Sequence, residues 1–203
     1  MDNFGKWSVQ KKKHGISTSP GMEGEYHRVR KDGDSKDYLL KVPKDFNRQE
    51  FEIEISILSS LKHPGLPTCY DYTENYIVMD FPDGSIYHEK FHKIDLRKKM
   101  EIFESMCDVI GYLHRNSYSN FHPGLFNFYK GENGKPVLYG FSDVRDARDE
   151  DGLTYGLFGD QLNLCYAFYS MIHGKKEKSA LNISLTYFPT TLKNRLSKLK
   201  ELI

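Results

Sequence analysis

Four side chains of this sequence could take part in chemistry: Lys41, Glu54, His122 and Asn127. A lysine can bind an anion, and a histidine can act as a general base near neutral pH. An isolated lysine and glutamate are more typical of solvated side chains, because exposed ion pairs contribute little to stability. The segments that carry these residues decide between the two interpretations.

Lys41 and Glu54 belong to two different predicted elements. Residues 37–42 form a short apolar run, which predicts a strand with Lys41 inside it. Residues 49–61 predict an amphipathic helix that Pro64 prevents from continuing. Its apolar residues recur at helical spacing: Phe51, Ile55, Leu58 and Leu61.

Further elements follow along the chain. Asp95 is a predicted N-cap for a helix of about 20 residues. Another helix is predicted from Asp160 to Gly174, and a short one lies within 188–203. The apolar stripe of the first of these helices consists of Leu96, Met100, Phe103, Met106, Val109, Ile110 and Leu113.

The first half of the chain resembles the N-terminal part of protein kinases. Glu54 stands ten residues before Pro64, the interval found between the glutamate of the αC helix and the His-Pro that follows it. The resemblance implies that Met79 is the gatekeeper residue. It also implies that Asp80 and Phe81 form the hinge, which meets adenine in an active enzyme.

The second half continues the resemblance in the same order. Residues 112–114, Tyr-Leu-His, resemble the end of the αE helix, and the catalytic-loop pattern then falls on 120–127. Asn127 is the asparagine of that pattern. Gly140, thirteen residues later, takes the position of the metal-binding aspartate, and Asp160 resembles the aspartate that begins the αF helix.

The resemblance covers roughly residues 15–174 and implies an α+β, bilobal protein-kinase-like fold. We expect one kinase-like domain with a small β-rich N-lobe over 1–81, a hinge over 81–85 and a shortened helical C-lobe over 86–203. The residues of a vestigial nucleotide site would be Lys41, Glu54, Met79, Phe81 and Asn127.

The catalytic groups of the family are missing. His122 replaces the aspartate that orients the substrate hydroxyl, and Gly140 replaces the principal magnesium ligand. Losing a positioned base costs about 10²–10⁴ in rate, and losing the metal removes the main neutraliser of phosphoryl charge. Asp143 is a conceivable substitute ligand. In the phosphate-covering loop, Pro20 removes an amide and Glu23 adds negative charge. We therefore expect no metal site and weak or absent ATP binding.

The peptide-binding shelf of kinases is absent as well. No Ala-Pro-Glu occurs between Ser142 and Asp160, where acidic residues alternate with arginines. This charge run predicts a solvated loop, with a partner-docking segment as the alternative.

Composition narrows the class of function. The net charge of +1 gives no reason to expect nucleic acid or a membrane as the main partner. Three widely spaced cysteines and the lack of an apolar signal segment favour a cytoplasmic protein.

The sequence thus predicts an inactive pseudokinase that acts by binding another protein, with an active kinase as the leading candidate. Two alternatives stay open. The first is a divergent active phosphotransferase with His122 as its base and Asn127 and Asp143 as metal ligands. The second is a switch that binds nucleotide through Lys41 without metal.

Overall fold

The protein is a mixed α+β chain that divides into two compact units. The computed structural model describes residues 4–12, 24–44, 48–85, 91–119, 123–131, 133–141, 144–146 and 150–173. One unit comprises Met1–Glu89 with Leu125–Val144, and the other comprises Lys90–Gly124 with Arg145–Ile203. The elements in chain order are β1 (Trp7–Lys12), β2 (Gly24–Lys31), β3 (Tyr38–Pro43), α1 (Arg48–Ser60), β4 (Cys69–Thr73), β5 (Tyr76–Asp80), β6 (Gly84–Ser85), a 3₁₀ turn (Phe91–Lys93), α2 (Leu96–Arg115), β7 (Tyr118–Ser119), β8 (Phe128–Lys130), β9 (Pro136–Leu138), β10 (Arg145–Asp146) and α3 (Glu150–His173).

The first unit contains an antiparallel five-stranded sheet in the order β1-β2-β3-β5-β4. Because side chains alternate across a strand, each strand contributes to both faces of the sheet. One face carries a hydrophobic cluster made of Trp7, Val29, Tyr38, Leu40 and Val78. The intervening positions of β2, β3 and β5 belong to the opposite face, and they include Tyr26, Leu39, Lys41, Ile77 and Met79.

The two outer strands of this sheet are tied together by side chains. Trp7 in β1 is buried, and its Nε1 donates a hydrogen bond of 2.7 Å to Oδ2 of Asp71 in β4. Lys6 Nζ lies 3.1 Å from the same oxygen. Register shifts in β1 and β4 mark bulges, which increase the local twist of these strands. The contacts to Asp71 therefore hold the two outer strands together on the face that carries the Trp7 cluster.

Helix α1 confirms the predicted amphipathic segment, but its buried face differs from the expected stripe. The buried residues are Phe51, Glu54, Ile57 and Leu58, whereas Ile55 and Leu61 are only half-buried. The buried face is centred on Glu54, and its neighbours at i−3, i+3 and i+4 supply the apolar contacts. Counting apolar residues alone missed the polar residue on which the face is centred.

The second unit contains α2, α3 and a short two-stranded sheet in which β10 pairs with β7. Phe103 of α2 packs against Phe168 of α3 with ring centroids 4.6 Å apart. Buried His114 and Asp160 join the same helices through a 2.9 Å contact between Nε2 and Oδ2. The expected burial of Leu96 is wrong, because this residue lies in the first turn of α2 and is 60% exposed.

Helix α3 begins ten residues earlier than the sequence indicated. We expected a solvated loop up to Asp160, yet the helix starts at Glu150. Leu157 is buried one turn before Asp160, and Leu164 is buried one turn after it. The buried face of α3 therefore extends at least one turn ahead of Asp160, so the helix is held by apolar packing from before the predicted start.

The predicted N-cap of α2 is confirmed. Asp95 accepts a 2.8 Å hydrogen bond from the backbone N–H of Lys98. We expect Asp95→Ala to lower the free energy of unfolding by about 1 kcal/mol, because one N-terminal amide loses its acceptor. Urea denaturation measures this change. Asp95→Asn keeps the acceptor and should cost less, and an equal loss for both variants would contradict the capping role.

Candidate functional site

Lys41 and Glu54 form a buried ion pair in the first unit. Lys41 Nζ contacts Glu54 Oε2, and the side chains are each only 2% exposed. The register of β2 and β3 places Lys41 opposite Tyr26, and its ammonium lies 5.8 Å from the centroid of the Tyr26 ring. The sheet and α1 thus bring together two residues that the sequence separates by thirteen positions. The lysine faces a carboxylate and an aromatic ring rather than solvent.

Met79 is the last but one residue of β5, and Phe81 directly follows the strand. Met79 is 1% exposed and pairs in register with Leu39, so two large apolar side chains occupy neighbouring positions on one face. The Arg28 guanidinium stacks over the Phe81 ring at 4.5 Å from its centroid. Arg28 also forms a 3.2 Å ion pair with Asp37, which neutralises its charge.

Asp80, between these two residues, is held by several hydrogen bonds. Its carboxylate accepts bonds from the Thr68 amide at 2.9 Å, the Tyr70 hydroxyl at 2.8 Å and Lys36 Nζ at 3.3 Å. Burial disfavours the charged form, but these donors outweigh it and hold the pKa of Asp80 below its ordinary value. This network fixes the backbone at the start of the predicted hinge.

Asn127 and Gly140 are packed directly against each other. A Cβ atom at position 140 would lie 2.1 Å from Asn127 Nδ2 and 2.9 Å from both Cβ and Cγ of that residue. The Tyr139 amide also donates a 2.8 Å hydrogen bond to the Asn127 carbonyl. The Asn127 side chain therefore occupies the space from which an aspartate at position 140 would extend. The missing carboxylate and the retained asparagine are structurally linked.

Gly24, which ends the segment that resembles the phosphate-covering loop of kinases, has a packing role in the sheet. A Cβ there would lie 2.3 Å from the Val42 carbonyl oxygen of the neighbouring strand β3. Only glycine allows this approach of the two backbones. The presence of Gly24 is thus explained without a phosphate. Pro20 and Glu23 lie outside the described residues.

Two tyrosines near the site were missed by the sequence analysis. Tyr129 in β8 and Tyr139 just after β9 are each 3% exposed, and their rings meet edge to face with centroids 5.5 Å apart. Burial raises the pKa of Tyr129 to about 12. Their positions in the sequence could have indicated them, because Tyr139 directly precedes Gly140 and Tyr129 follows Asn127 by two positions.

Other predicted residues have different outcomes. His122 and Asp143 lie outside the described residues, as does the predicted helix within 188–203. Phe141 and Leu58 are each 1% exposed. Their predicted stacking on each other stays a prediction.

An open cavity of about 560 Å³ lies beside the predicted hinge. Its lining consists of Arg28, Lys36, Asp37, Phe81, Pro82 and Asp83. Lys41, Met79 and Tyr139 do not line it. Two basic and two acidic side chains line this cavity, so its lining does not favour a ligand of strong positive or negative charge.

Within the described ranges, no three His, Cys, Asp or Glu side chains come close enough together to hold a metal ion. The expected absence of a metal site stays a prediction, since His122 and Asp143 fall outside those ranges. None of the helices in the same ranges combines the length and apolar content that crossing a bilayer requires.

Comparison with known proteins gives a short match to a kinase. Over 42 residues, or 19% of this chain, the sequence is 50% identical to a probable serine/threonine-protein kinase of Dictyostelium discoideum. The match covers 3% of that kinase. No protein-family model matches the chain. These findings indicate at most a relation to serine/threonine kinases.

Proposed function

We propose that this chain is a catalytically inactive, kinase-like protein that acts by binding another protein. The packing of Asn127 against Gly140 carries the proposal. Phosphoryl transfer needs a divalent cation to neutralise the developing charge on the phosphates. At the position where the family resemblance expects its ligand, the chain has no carboxylate, and a side chain there would clash with Asn127 unless the asparagine moved.

The charged residues that remain support this proposal. Lys41 and Glu54 are buried against each other, where they join α1 to the sheet. In this position the pair serves the internal structure of the unit without requiring a nucleotide. A chain that keeps such structural contacts and lacks the metal ligand suits a binding role better than a catalytic one.

The proposed partner is an active kinase or one of its regulators, and the proposed setting is the cytoplasm. Kinase lobes pair with other kinase lobes in several arrangements, and an inactive relative could occupy such a surface. Co-purification from native cells followed by mass spectrometry tests the choice of partner. We expect kinases among the enriched proteins and a change in their activity on adding the purified chain. Enrichment without any kinase would point to another class of partner.

We expect no phosphotransfer by the purified chain with either magnesium or manganese. The measurement is incorporation of labelled phosphate into the chain itself and into a generic protein substrate. The control is the double variant Lys41→Met/Glu54→Leu, which removes both charges of the buried pair together. Autophosphorylation by the wild type that disappears in the double variant would refute the proposal.

Two other functions are separated by nucleotide-binding measurements. A divergent phosphotransferase with His122, Asn127 and Asp143 at its centre requires ATP binding that depends on magnesium. A nucleotide switch requires a rise in melting temperature with ATP alone that is lost when Lys41 is replaced.

A further inference from the structure

Residues 80–83, which include Asp80 and the start of the predicted hinge over 81–85, use their backbone polar groups internally. The Asp80 N–H donates to the Thr68 carbonyl at 3.1 Å, and the Asp83 N–H donates to the Lys130 carbonyl at 3.0 Å. Pro82 has no N–H to donate. The Asp80 carbonyl accepts a 3.0 Å hydrogen bond from the Tyr139 hydroxyl. A nucleobase such as adenine that bound at this segment would have to compete with the protein's own hydrogen-bond partners for these backbone groups.

The strand that follows the hinge strengthens this arrangement. Gly84 and Ser85 of β6 pair with Lys130 and Tyr129 of β8, and β8 pairs in turn with β9. The three-stranded sheet therefore connects the hinge to the chain that carries Tyr139. Moving residues 84–85 away from β8 would break this ladder.

The Tyr139 side chain has the features of a bound aromatic ligand. Its ring is 3% exposed and packs against Tyr129, while its hydroxyl reaches a carbonyl 59 positions away in the sequence. A purine would use the same two kinds of contact, namely a flat ring between apolar side chains and a donor aimed at a backbone acceptor. One side chain already provides both.

We propose that Tyr139 is an internal ligand of the hinge. Its ring fills the space beside Tyr129, and its hydroxyl donates a hydrogen bond to the Asp80 carbonyl. Because both the space and the acceptor are already taken, the chain itself excludes adenine nucleotides. The inference rests on the proposed function and extends it from absent catalysis to absent nucleotide binding.

The test removes the internal ligand and replaces it with a soluble analogue. Melting temperatures are measured for the wild type and Tyr139→Ala with p-cresol, which reproduces the tyrosine side chain, and with toluene, which lacks the hydroxyl. We expect p-cresol at ten times its Kd to raise the melting temperature of Tyr139→Ala by about 3–6 °C, with a smaller rise for toluene. The wild type should not respond to either compound, nor to adenine or ATP at millimolar concentration.

Tyr70→Ala is a matched control, because Tyr70 also donates to Asp80 but is 41% exposed and opens no internal space. Its melting temperature should not respond to p-cresol. Should Tyr139→Ala be unfolded without additive, recovery of the folded state by p-cresol becomes the measurement.

Two outcomes would overturn the inference. The first is a Tyr139→Ala variant that gains nothing from p-cresol beyond the control. The second is binding of adenine or ATP by the wild type, which is decisive even if no variant folds. Nucleotide binding without phosphotransfer would refute this inference and leave the proposed function standing, whereas phosphotransfer would refute the proposed function.

Discussion

Replacing Gly140 with aspartate is expected to destabilise the protein and leave phosphotransfer at background. The new Cβ would lie 2.1 Å from Asn127 Nδ2 and 2.9 Å from Asn127 Cβ, which is too close without a shift of the asparagine. Overpacking of this kind costs about 1–3 kcal/mol, and burying a carboxylate adds a further cost. Urea denaturation and the phosphotransfer assay measure the two effects.

Matched variants separate steric crowding from charge. Gly140→Ala introduces the Cβ alone, and we expect it to cost about 1–3 kcal/mol. Gly159 in α3 is the control, because a Cβ there meets no atom within 4 Å and alanine favours a helix. Adding Asn127→Ala to Gly140→Ala should reduce the combined loss below the sum of the two single losses. If the loss of stability in the double variant equalled the sum of the two single losses, the Asn127 side chain would not be what crowds a Cβ at position 140.

Lys41→Met is expected to lower the free energy of unfolding by about 3–5 kcal/mol. The change leaves the Glu54 carboxylate buried opposite an apolar side chain, and breaking a buried ion pair from one side is costly. Chemical denaturation monitored by circular dichroism measures the loss.

The double variant Lys41→Met/Glu54→Leu should recover most of this loss, since apolar pairs can replace buried ion pairs at little net cost. The exposed pair Arg97–Glu101 is the matched control, and Glu101→Ala should change stability by less than about 0.5 kcal/mol. A loss below about 1 kcal/mol for Lys41→Met would contradict the importance of the buried pair.

The sequence was sufficient to predict the elements that carry a regular pattern. The strand around Lys41 and helices α1 and α2 occur where their apolar pattern predicts them. The N-cap Asp95 was also predicted correctly, since its role depends on local geometry alone.

Features that depend on distant parts of the chain could not be predicted from local sequence patterns. Helix α3 begins at Glu150, within a charged segment, and local charge alone indicated a loop there. The bond from Tyr139 to Asp80 joins residues 59 positions apart, and no periodic pattern signals such a contact. The close packing of Asn127 against Gly140 likewise depends on the fold that brings the two residues together.

The link between Trp7 and Asp71 has a consequence for how this unit can meet a partner. Outer strands of open sheets commonly recruit a peptide that extends the sheet by main-chain hydrogen bonding. Here Trp7 and Lys6 bind Asp71 on one face of the sheet, so a strand added alongside β4 would place its side chains next to this group on that face. A peptide that extended the sheet at this edge would therefore have to present side chains compatible with the Asp71 carboxylate and the Lys6 ammonium.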